Sequence, residues 1–167
     1  MIALVVSWDH PDSLQLCKAQ RTEISDLGGV DPGVPPTASD MAVLLVAYKD
    51  DVPIGCGGIR HLPAVPDGPQ HVAEIKRMFV NPVYRGKCGL ERSVASYILD
   101  ALENAALQRG CSKLKLETGC FLHQARSFYE RCGFVECALY GSYVGSTDSV
   151  CYEKELAVIS QLPKSSS

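Results

Sequence analysis

The sequence predicts an α/β protein of the α+β type, in which helices flank a mixed central β-sheet. Three runs rich in β-branched and aromatic residues follow one another between residues 41 and 80, a pattern typical of antiparallel hairpins. Further along, strand-like and helix-like patterns alternate. The order strand, helix, strand makes the two strands parallel through a right-handed crossover. A sheet that contains both kinds of pair is mixed.

Length and composition narrow the class of protein. The 167 residues suffice for one domain with a continuous core, which we expect to span residues 1–160 and to leave 161–167 as a disordered tail. With a net charge of −3, the chain lacks the positive surface potential that is typical of a nucleic-acid-binding protein. No run approaches the roughly 18 apolar residues of a membrane span. We therefore expect a cytoplasmic protein without nucleic-acid or membrane partners.

The cysteines and histidines give no sign of a metal site or of disulfides. The eight cysteines are scattered singly in a chain without secretory features, and no two of them form a Cys-x-x-Cys pair. The four histidines show no spacing typical of metal ligands. We expect reduced thiols and no metal.

The first half is read as one helix and four strands. A strand at residues 3–6 precedes a helix that Asp12 or Ser13 can cap. The apolar residues on or near one face of this helix are Leu14, Cys17, Ile24 and Leu27. The remaining strands are predicted at residues 41–48, 53–61 and 72–80, and a hairpin at residues 49–51 joins the first two of these.

Three glycines, Gly55, Gly57 and Gly58, interrupt the strand predicted at residues 53–61. Glycine inside a strand often marks a bulge or the close approach of another group. The alternative is an irregular strand at the edge of the sheet.

The second half alternates helices and strands. A helix is predicted over about residues 93–109, because apolar residues recur there at helical spacing and Gly110 suits the left-handed position after its end. A strand follows at residues 113–117. The second helix, before Gly133, carries Ala125, Phe128, Tyr129 and Cys132 at the spacing i, i+3, i+4, i+7. Closing strands are predicted at residues 134–139 and 149–156.

A basic loop with two glycines joins the fourth strand to the long helix. Free N–H groups and the dipole of the first helical turn favour an anion there, as do the charges of Arg85 and Lys87. Gly86 and Gly89 let the backbone approach that anion. The alternative is a solvated turn with two surface cations. The loop lacks the Gly-Lys-Ser/Thr spacing of a nucleotide-hydrolysing P-loop.

Several stretches, taken in order, resemble the GNAT superfamily of N-acetyltransferases. They are residues 52–58 (VPIGCGG), 73–87 (AEIKRMFVNPVYRGK), 116–119 (LETG) with Ala125, 128–130 (FYE), 133–134 (GF) and 149–154 (SVCYEK). The resemblance covers roughly residues 41–156 and implies a splayed central sheet, the GNAT acyl-CoA acyltransferase fold. It also implies that backbone groups of Phe79 and Val80 hold the pantetheine arm of acetyl-CoA, and that the loop binds its pyrophosphate.

The loop departs from the family pattern of Arg or Gln, two residues, Gly, one residue, then Gly or Ala. Counting forward from Arg85 places Cys88 and Leu90 at the last two positions. This first register fails, because the family has Gly and then Gly or Ala there. Counting back from the helix end places residues 93–95 there and makes 88–92 a five-residue insertion, which lengthens the loop or adds a helical turn. The implied cofactor-binding residues are Phe79, Val80, Arg85, Gly86, Lys87, Gly89, Ser93, Val94 and Ala95.

Acetyl transfer to an amine requires a neutral amine and protonation of the departing thiolate. By resemblance, Tyr129 can donate that proton, and Glu74 can accept the amine proton through water. Tyr129 is otherwise a core tyrosine, and Glu74 is otherwise a surface strand residue paired with Lys76 or Arg77. Glu117 is the reserve base.

The resemblance implies an N-acetyltransferase that uses acetyl-CoA as co-substrate. It would acetylate the primary amine of a small-molecule or amino-acid-like acceptor by direct attack, with residues 140–146 as the acceptor-side loop. A homodimer is left open. The alternative function is a non-catalytic CoA-binding or interaction module of the same fold, in which the insertion disrupts the pyrophosphate loop.

Overall fold

A computed structural model describes residues 1–30, 34–63, 71–86 and 91–157. Within these ranges, all of the predicted strands and helices are present in the predicted order. The strands are β1 Ile2–Val5, β2 Met41–Lys49, β3 Val52–His61, β4 Val72–Val80, β5 Lys113–Gly119, β6 Val135–Cys137 and β7 Ser149–Glu155. The helices are α1 Pro11–Asp26, α2 Val94–Gln108 and α3 His123–Arg131, with 3₁₀ turns at Pro82–Tyr84 and Gly141–Tyr143. The predicted tail at 161–167 lies outside the described residues.

The strands form a seven-stranded mixed sheet in the order β1-β2-β3-β4-β5-β7-β6. The pair β4–β5 is parallel, and the other neighbouring pairs are antiparallel. Helix α2 makes the crossover between the two parallel strands, as the strand, helix, strand order requires. The predicted α/β fold with a mixed sheet is confirmed.

The parallel pair comes apart halfway along its length. Pairing runs from Val72 opposite Lys113 to Ile75 opposite Leu116 and stops there, although β4 continues to Val80 and β5 to Gly119. The second half of β4 therefore has β3 on one side and an opening on the other. This is the splay that the family resemblance implies.

Strand β4 is also irregular on its β3 side, directly after the splay begins. The pairing shifts by one residue between Cys56 and Gly58, and Arg77 has a φ of 58°. One extra residue on β4 makes this a bulge, which bends the strand and re-aims the side chains around it.

Helices cover both faces of the sheet next to this opening. On β2, alternate residues Val43, Leu45 and Ala47 belong to the core that includes α2, whereas Val46 packs with Leu16 of α1. Because side chains alternate across a strand, a continuous apolar run such as the one in β2 fits a strand that is buried on both faces.

The glycines of β3 mark close approach, not an edge strand. Strand β3 lies between β2 and β4 inside the sheet. A Cβ on Gly55 would lie 2.8 Å from the carbonyl oxygen of Phe79, and one on Gly57 would lie 3.0 Å from Ile98 of α2. The edge-strand alternative is wrong, because the helix and the neighbouring strand pack directly against this backbone.

Helix α1 starts and packs differently from its prediction. His10 is the N-cap, and its Nδ1 accepts a hydrogen bond from the Asp12 N–H at 3.3 Å. Pro11 suits the first helical position, so the cap falls two residues earlier than Asp12 and three earlier than Ser13. Ser13 and Leu16 are buried, whereas the predicted apolar residues Leu14 and Leu27 are about half exposed, at 50% and 58%.

Candidate active site

The opening between β4 and β5 is a cleft of about 130 Å³. Helices α1 and α3 complete its walls. Its polar side chains include Gln20 from α1, Lys76 and Arg77 from β4, Glu117 from β5 and Tyr129 from α3. The cleft exists because the parallel pair separates after Ile75, which leaves space between two strands of one sheet.

Tyr129 is a core residue that also lines the cleft, and its role as proton donor stays a prediction. Its ring packs against Phe128 and Phe134, with centroids 5.2 and 5.7 Å apart, and only 6% of the residue is exposed. It also lines the cleft. No described residue forms a hydrogen bond with its hydroxyl, and burial raises the pKa of Tyr129. A core aromatic thus presents a protonated phenol beside the cleft.

Glu74 is fully buried at the centre of a hydrogen-bond network. Arg60 Nε donates to Oε2 at 2.6 Å, and the hydroxyls of Tyr140 and Tyr143 donate to Oε1 at 2.9 and 3.0 Å. Burial, with the Glu74 charge next in importance, raises the pKa of both tyrosines. The alternative of a surface residue paired with Lys76 or Arg77 is wrong, because the ion-pair partner is Arg60 on β3.

The two candidate bases differ in where they lie. Glu117 lines the cleft and accepts a hydrogen bond from Ser149 Oγ at 2.7 Å, while Glu74 does not line it. Access to substrate therefore favours Glu117, the reserve base. The assignment of Glu74 as proton acceptor stays a prediction.

The loop at residues 140–146 packs against β4 through its tyrosines. Besides their bonds to Glu74, the rings of Tyr140 and Tyr143 meet edge to face at 5.4 Å. Lys76 Nζ donates to Tyr143 Oη at 2.7 Å. The predicted acceptor-side loop is thus connected to the strand that forms one wall of the cleft.

Two carbonyl groups near the end of β4 are bound by side chains from outside the sheet. Gln20 Nε2 donates to the Met78 oxygen at 2.9 Å, and Arg85 Nε donates to the Val80 oxygen at 3.0 Å. The side chain of Phe79 is buried under α1, with the Arg85 guanidinium 5.7 Å from its ring centre. The backbone roles predicted for Phe79 and Val80 stay predictions.

The basic loop is only partly described. Arg85 forms an ion pair with Glu23 of α1 at 2.6 Å, so its charge is shared with a carboxylate. Gly86 adopts a φ of 74°, a left-handed conformation that favours glycine. The predicted contacts of Lys87 and Gly89 lie outside the described residues.

The start of α2 agrees with the second of the two registers. Ser93 is the N-cap, with its Oγ accepting from the Ser96 N–H at 3.1 Å, and the helix begins at Val94 with Ala95 in its first turn. The described part of the insertion, Glu91 and Arg92, is not helical. The free amides of a first helical turn therefore belong to residues 94 and onward.

A groove of about 420 Å³ adjoins this helix start. Ser93 lies in its wall together with the cations Arg92, Arg131 and Lys154 and the carboxylates Asp100 and Glu103. Arg92 pairs with Asp100, and Lys154 pairs with Glu103. The groove separates α2 from α3 and offers room for a bulky group beside the helix N-terminus.

Two polar residues that line the cleft were not proposed as site residues from the sequence. Lys76 was considered only as a partner for Glu74, although both lie on the same strand two residues apart and so share one face. Gln20 carries no pattern that distinguishes it from a surface residue of α1. Its place in the cleft depends on how α1 packs over β4.

In the described ranges, no three His, Cys, Asp or Glu side chains come together as metal ligands. None of the described helices combines the length and hydropathy needed to cross a membrane. The expectation of a protein without metal stays a prediction.

The sequence model of the acetyltransferase (GNAT) family matches residues 30–134. An IAA acetyltransferase of Azospirillum brasilense is 33% identical over 112 residues, which is 67% of each chain. An uncharacterized N-acetyltransferase of Bacillus subtilis, YsnE, is 31% identical over 112 residues, or 66% of this chain and 67% of YsnE.

Solved structures share the fold at lower identity. An acetyltransferase of the GNAT family from Staphylococcus aureus superposes with a TM-score of 0.70 at 16% identity, covering 93% of this chain and 100% of the other. The PaiA N-acetyltransferase of Thermoplasma acidophilum, solved in complex with coenzyme A, has a TM-score of 0.62 at 16% identity, covering 93% and 99%.

Proposed function

The chain belongs to the acetyltransferase (GNAT) family, and on that premise we propose that it transfers an acetyl group from acetyl-CoA to the primary amine of a small-molecule or amino-acid-like acceptor. The observation that carries the proposal is the cleft between β4 and β5, with Tyr129 in its wall. The relatives are acetyltransferases, which favours catalysis over a non-catalytic CoA-binding module.

The residues present fit acetyl-CoA. Among the described strands, none pairs with the edge of β4 beyond Ile75 on the β5 side, so backbone groups of Phe79 and Val80 can hold an extended pantetheine arm. The first turn of α2, at Ser93, Val94 and Ala95, offers amides and a helix dipole to a pyrophosphate. We assign the remaining positive charge of the anion site to Arg85 and Lys87, and the close approach of backbone to the anion to Gly86 and Gly89.

Acetyl-CoA, when bound, supplies the acetyl group as a thioester. Tyr129 holds a proton at its hydroxyl, because burial raises its pKa and keeps it neutral. That hydroxyl donates its proton to the departing sulfur. Glu117 lines the cleft and accepts the proton of the attacking amine, while Ser149 Oγ orients its carboxylate.

Acetyl-CoA is expected to raise the melting temperature of the protein, since a ligand that binds only the folded state stabilises it by mass action. Release of free CoA thiol should then depend on an added primary amine, which is measured with a panel of amines and a thiol reagent. CoA serves as the control ligand that binds without donating an acetyl group. No shift in melting temperature at millimolar acetyl-CoA would contradict the proposal.

Replacing Ser93 with leucine is expected to weaken CoA binding about tenfold, because a bulky side chain crowds the helix start at a cost of about 1–3 kcal/mol. Ser93→Gly is the matched control, since it removes the same cap but adds no bulk, and its binding should stay within a factor of about two. Calorimetric titration with CoA measures both.

Deletion of residues 88–92 is the second arm of this test. It restores the family spacing between Arg85 and Ala95, so CoA binding should be retained or improved. If the deletion abolishes binding while Ser93→Leu leaves it unchanged, the pyrophosphate is held around Gly89 and the assignment to the start of α2 is wrong.

A further inference from the structure

Lys76 is a buried cation in the wall of the cleft. It is 7% exposed, and its Nζ donates to Tyr143 Oη at 2.7 Å and lies 5.4 Å from the centre of that ring. Within the described residues, no carboxylate lies within the 4 Å of an ion pair with Lys76. Buried charges in proteins are normally paired, since desolvation is costly for a single ion. A buried ammonium bonded only to a phenol is therefore unusual.

The charges around Lys76 are already matched among themselves. The single hydroxyl hydrogen of Tyr143 is donated to Glu74, so the phenol receives the Lys76 bond on an oxygen lone pair. The Glu74 charge is paired with Arg60 at 2.6 Å. Arg77 and Glu117 add one charge of each sign to the cleft. The positive charge of Lys76 is left over, with two ammonium hydrogens that no described residue accepts.

Gln20 leaves a second group unsatisfied in the same cleft. Its Nε2 donates to the Met78 carbonyl at 2.9 Å, which fixes the amide orientation because a carbonyl can only accept. Its Oε1 is then a buried oxygen without a hydrogen-bond partner among the described residues. Buried acceptors are nearly always satisfied in native proteins. This oxygen can therefore accept an N–H or O–H from a molecule bound in the cleft.

We propose that the acceptor is an amine that also carries a carboxylate, as an amino acid does. Its carboxylate pairs with the Lys76 ammonium, and its amine donates an N–H to Gln20 Oε1. The inference rests on the proposed acetyl transfer and narrows its acceptor from amines in general to amino acids. Lys76 acts as the residue that distinguishes an acid from an ester or a simple amine.

Matched acceptors test the proposal on the unmodified protein. Each set consists of an amino acid, its methyl ester and its decarboxylated amine, for example phenylalanine, phenylalanine methyl ester and phenethylamine, with parallel sets for alanine, leucine and glutamate. Loss of the carboxylate should lower kcat/KM about 30-fold or more, as expected when one partner of a buried charge pair is removed. Equal kcat/KM across every set would overturn the proposal.

Lys76→Met tests the residue. The variant should lose the preference for the acid over its ester, chiefly through a higher KM for the acid. Lys115→Met is the control, because it removes the same charge from the neighbouring strand β5. Lys115 pairs with Glu153 at 3.4 Å and does not line the cleft. It should keep the preference. An unchanged preference in Lys76→Met would show that another group reads the carboxylate.

Gln20→Met should raise the KM of acid, ester and amine by similar factors, because its oxygen is assigned to the amine that all three share. A higher KM for acetyl-CoA with unchanged acceptor KM would place the Gln20 oxygen on the pantetheine instead.

Equilibrium binding separates the inference from the proposed function. If no amine is acetylated, the proposed acetyl transfer is wrong. Calorimetry that compares the binding of N-acetylphenylalanine with that of its methyl ester still tests whether Lys76 binds a carboxylate. Absence of binding by either compound would overturn the carboxylate site.

Discussion

Replacing Tyr129 with phenylalanine is expected to lower kcat by about 100-fold or more and to leave stability nearly unchanged. The effect on kcat is the size expected for the loss of a general acid. Stability should hold because no described residue is hydrogen-bonded to the hydroxyl, and the ring contacts with Phe128 and Phe134 remain. Steady-state kinetics and thermal unfolding of the same preparation measure the two quantities.

Tyr152→Phe is the matched control for Tyr129→Phe. Tyr152 is fully buried, but its hydroxyl accepts from Arg126 Nε at 3.2 Å and donates to Glu130 at 2.8 Å, and it does not line the cleft. Loss of the Tyr152 hydroxyl should lower the free energy of unfolding by about 1–2 kcal/mol and leave kcat unchanged. This is the opposite of the pattern expected for Tyr129→Phe. Full activity of Tyr129→Phe would remove Tyr129 from the mechanism.

The pKa of Tyr129 adds a pH test to the same assignment. Burial raises this pKa above its ordinary value of about 10, so the hydroxyl keeps its proton throughout the neutral range. The wild-type rate should therefore show no loss from tyrosine ionisation below about pH 10. A fall in kcat near neutral pH would have to come from another group.

Replacing Glu74 with glutamine is expected to destabilise the fold by about 3 kcal/mol, which lowers Tm by roughly 6–12 °C in a chain of this size. The amide is neutral and leaves the Arg60 guanidinium, 15% exposed, without its counter-ion. Its NH₂ group must also face at least one of the three donors that now meet a carboxylate. Urea and thermal denaturation measure the loss.

A double-mutant cycle with Arg60→Met isolates the ion pair. The double variant should be less destabilised than the sum of the two single variants, because each single change leaves a buried charge unpaired and the double change removes both. If Glu74→Gln is as stable as wild type but loses activity, the carboxylate serves as the proton acceptor that the family resemblance assigns to it. Additive losses would mean that the pair contributes no coupling.

Much of the fold was predicted from local sequence patterns, namely apolar periodicity and turn residues. The apolar periodicity of residues 93–109 and the position of Gly110 gave a helix that the structure bounds at Val94–Gln108. The hairpin between β2 and β3 follows from residues that tolerate a left-handed backbone, since Asp50 and Asp51 have φ values of 51° and 62°. Helix α1 was less accurate, because its buried face depends on where the sheet lies, not on hydropathy alone.

By itself, the sequence determined the order of strands and helices, the mixed sheet and the family, and its resemblance to that family singled out Tyr129, which lines the cleft. These follow from periodicity, turn residues and motifs, which act over a few neighbouring residues. Only the tertiary structure decided which carboxylate faces the cleft, that Arg60 is the partner of Glu74, and that Lys76 and Gln20 have unmatched polar groups. Those properties depend on desolvation and on contacts between residues far apart in the chain, such as Gln20 with Met78 and Lys76 with Tyr143. Residue type and spacing do not encode them.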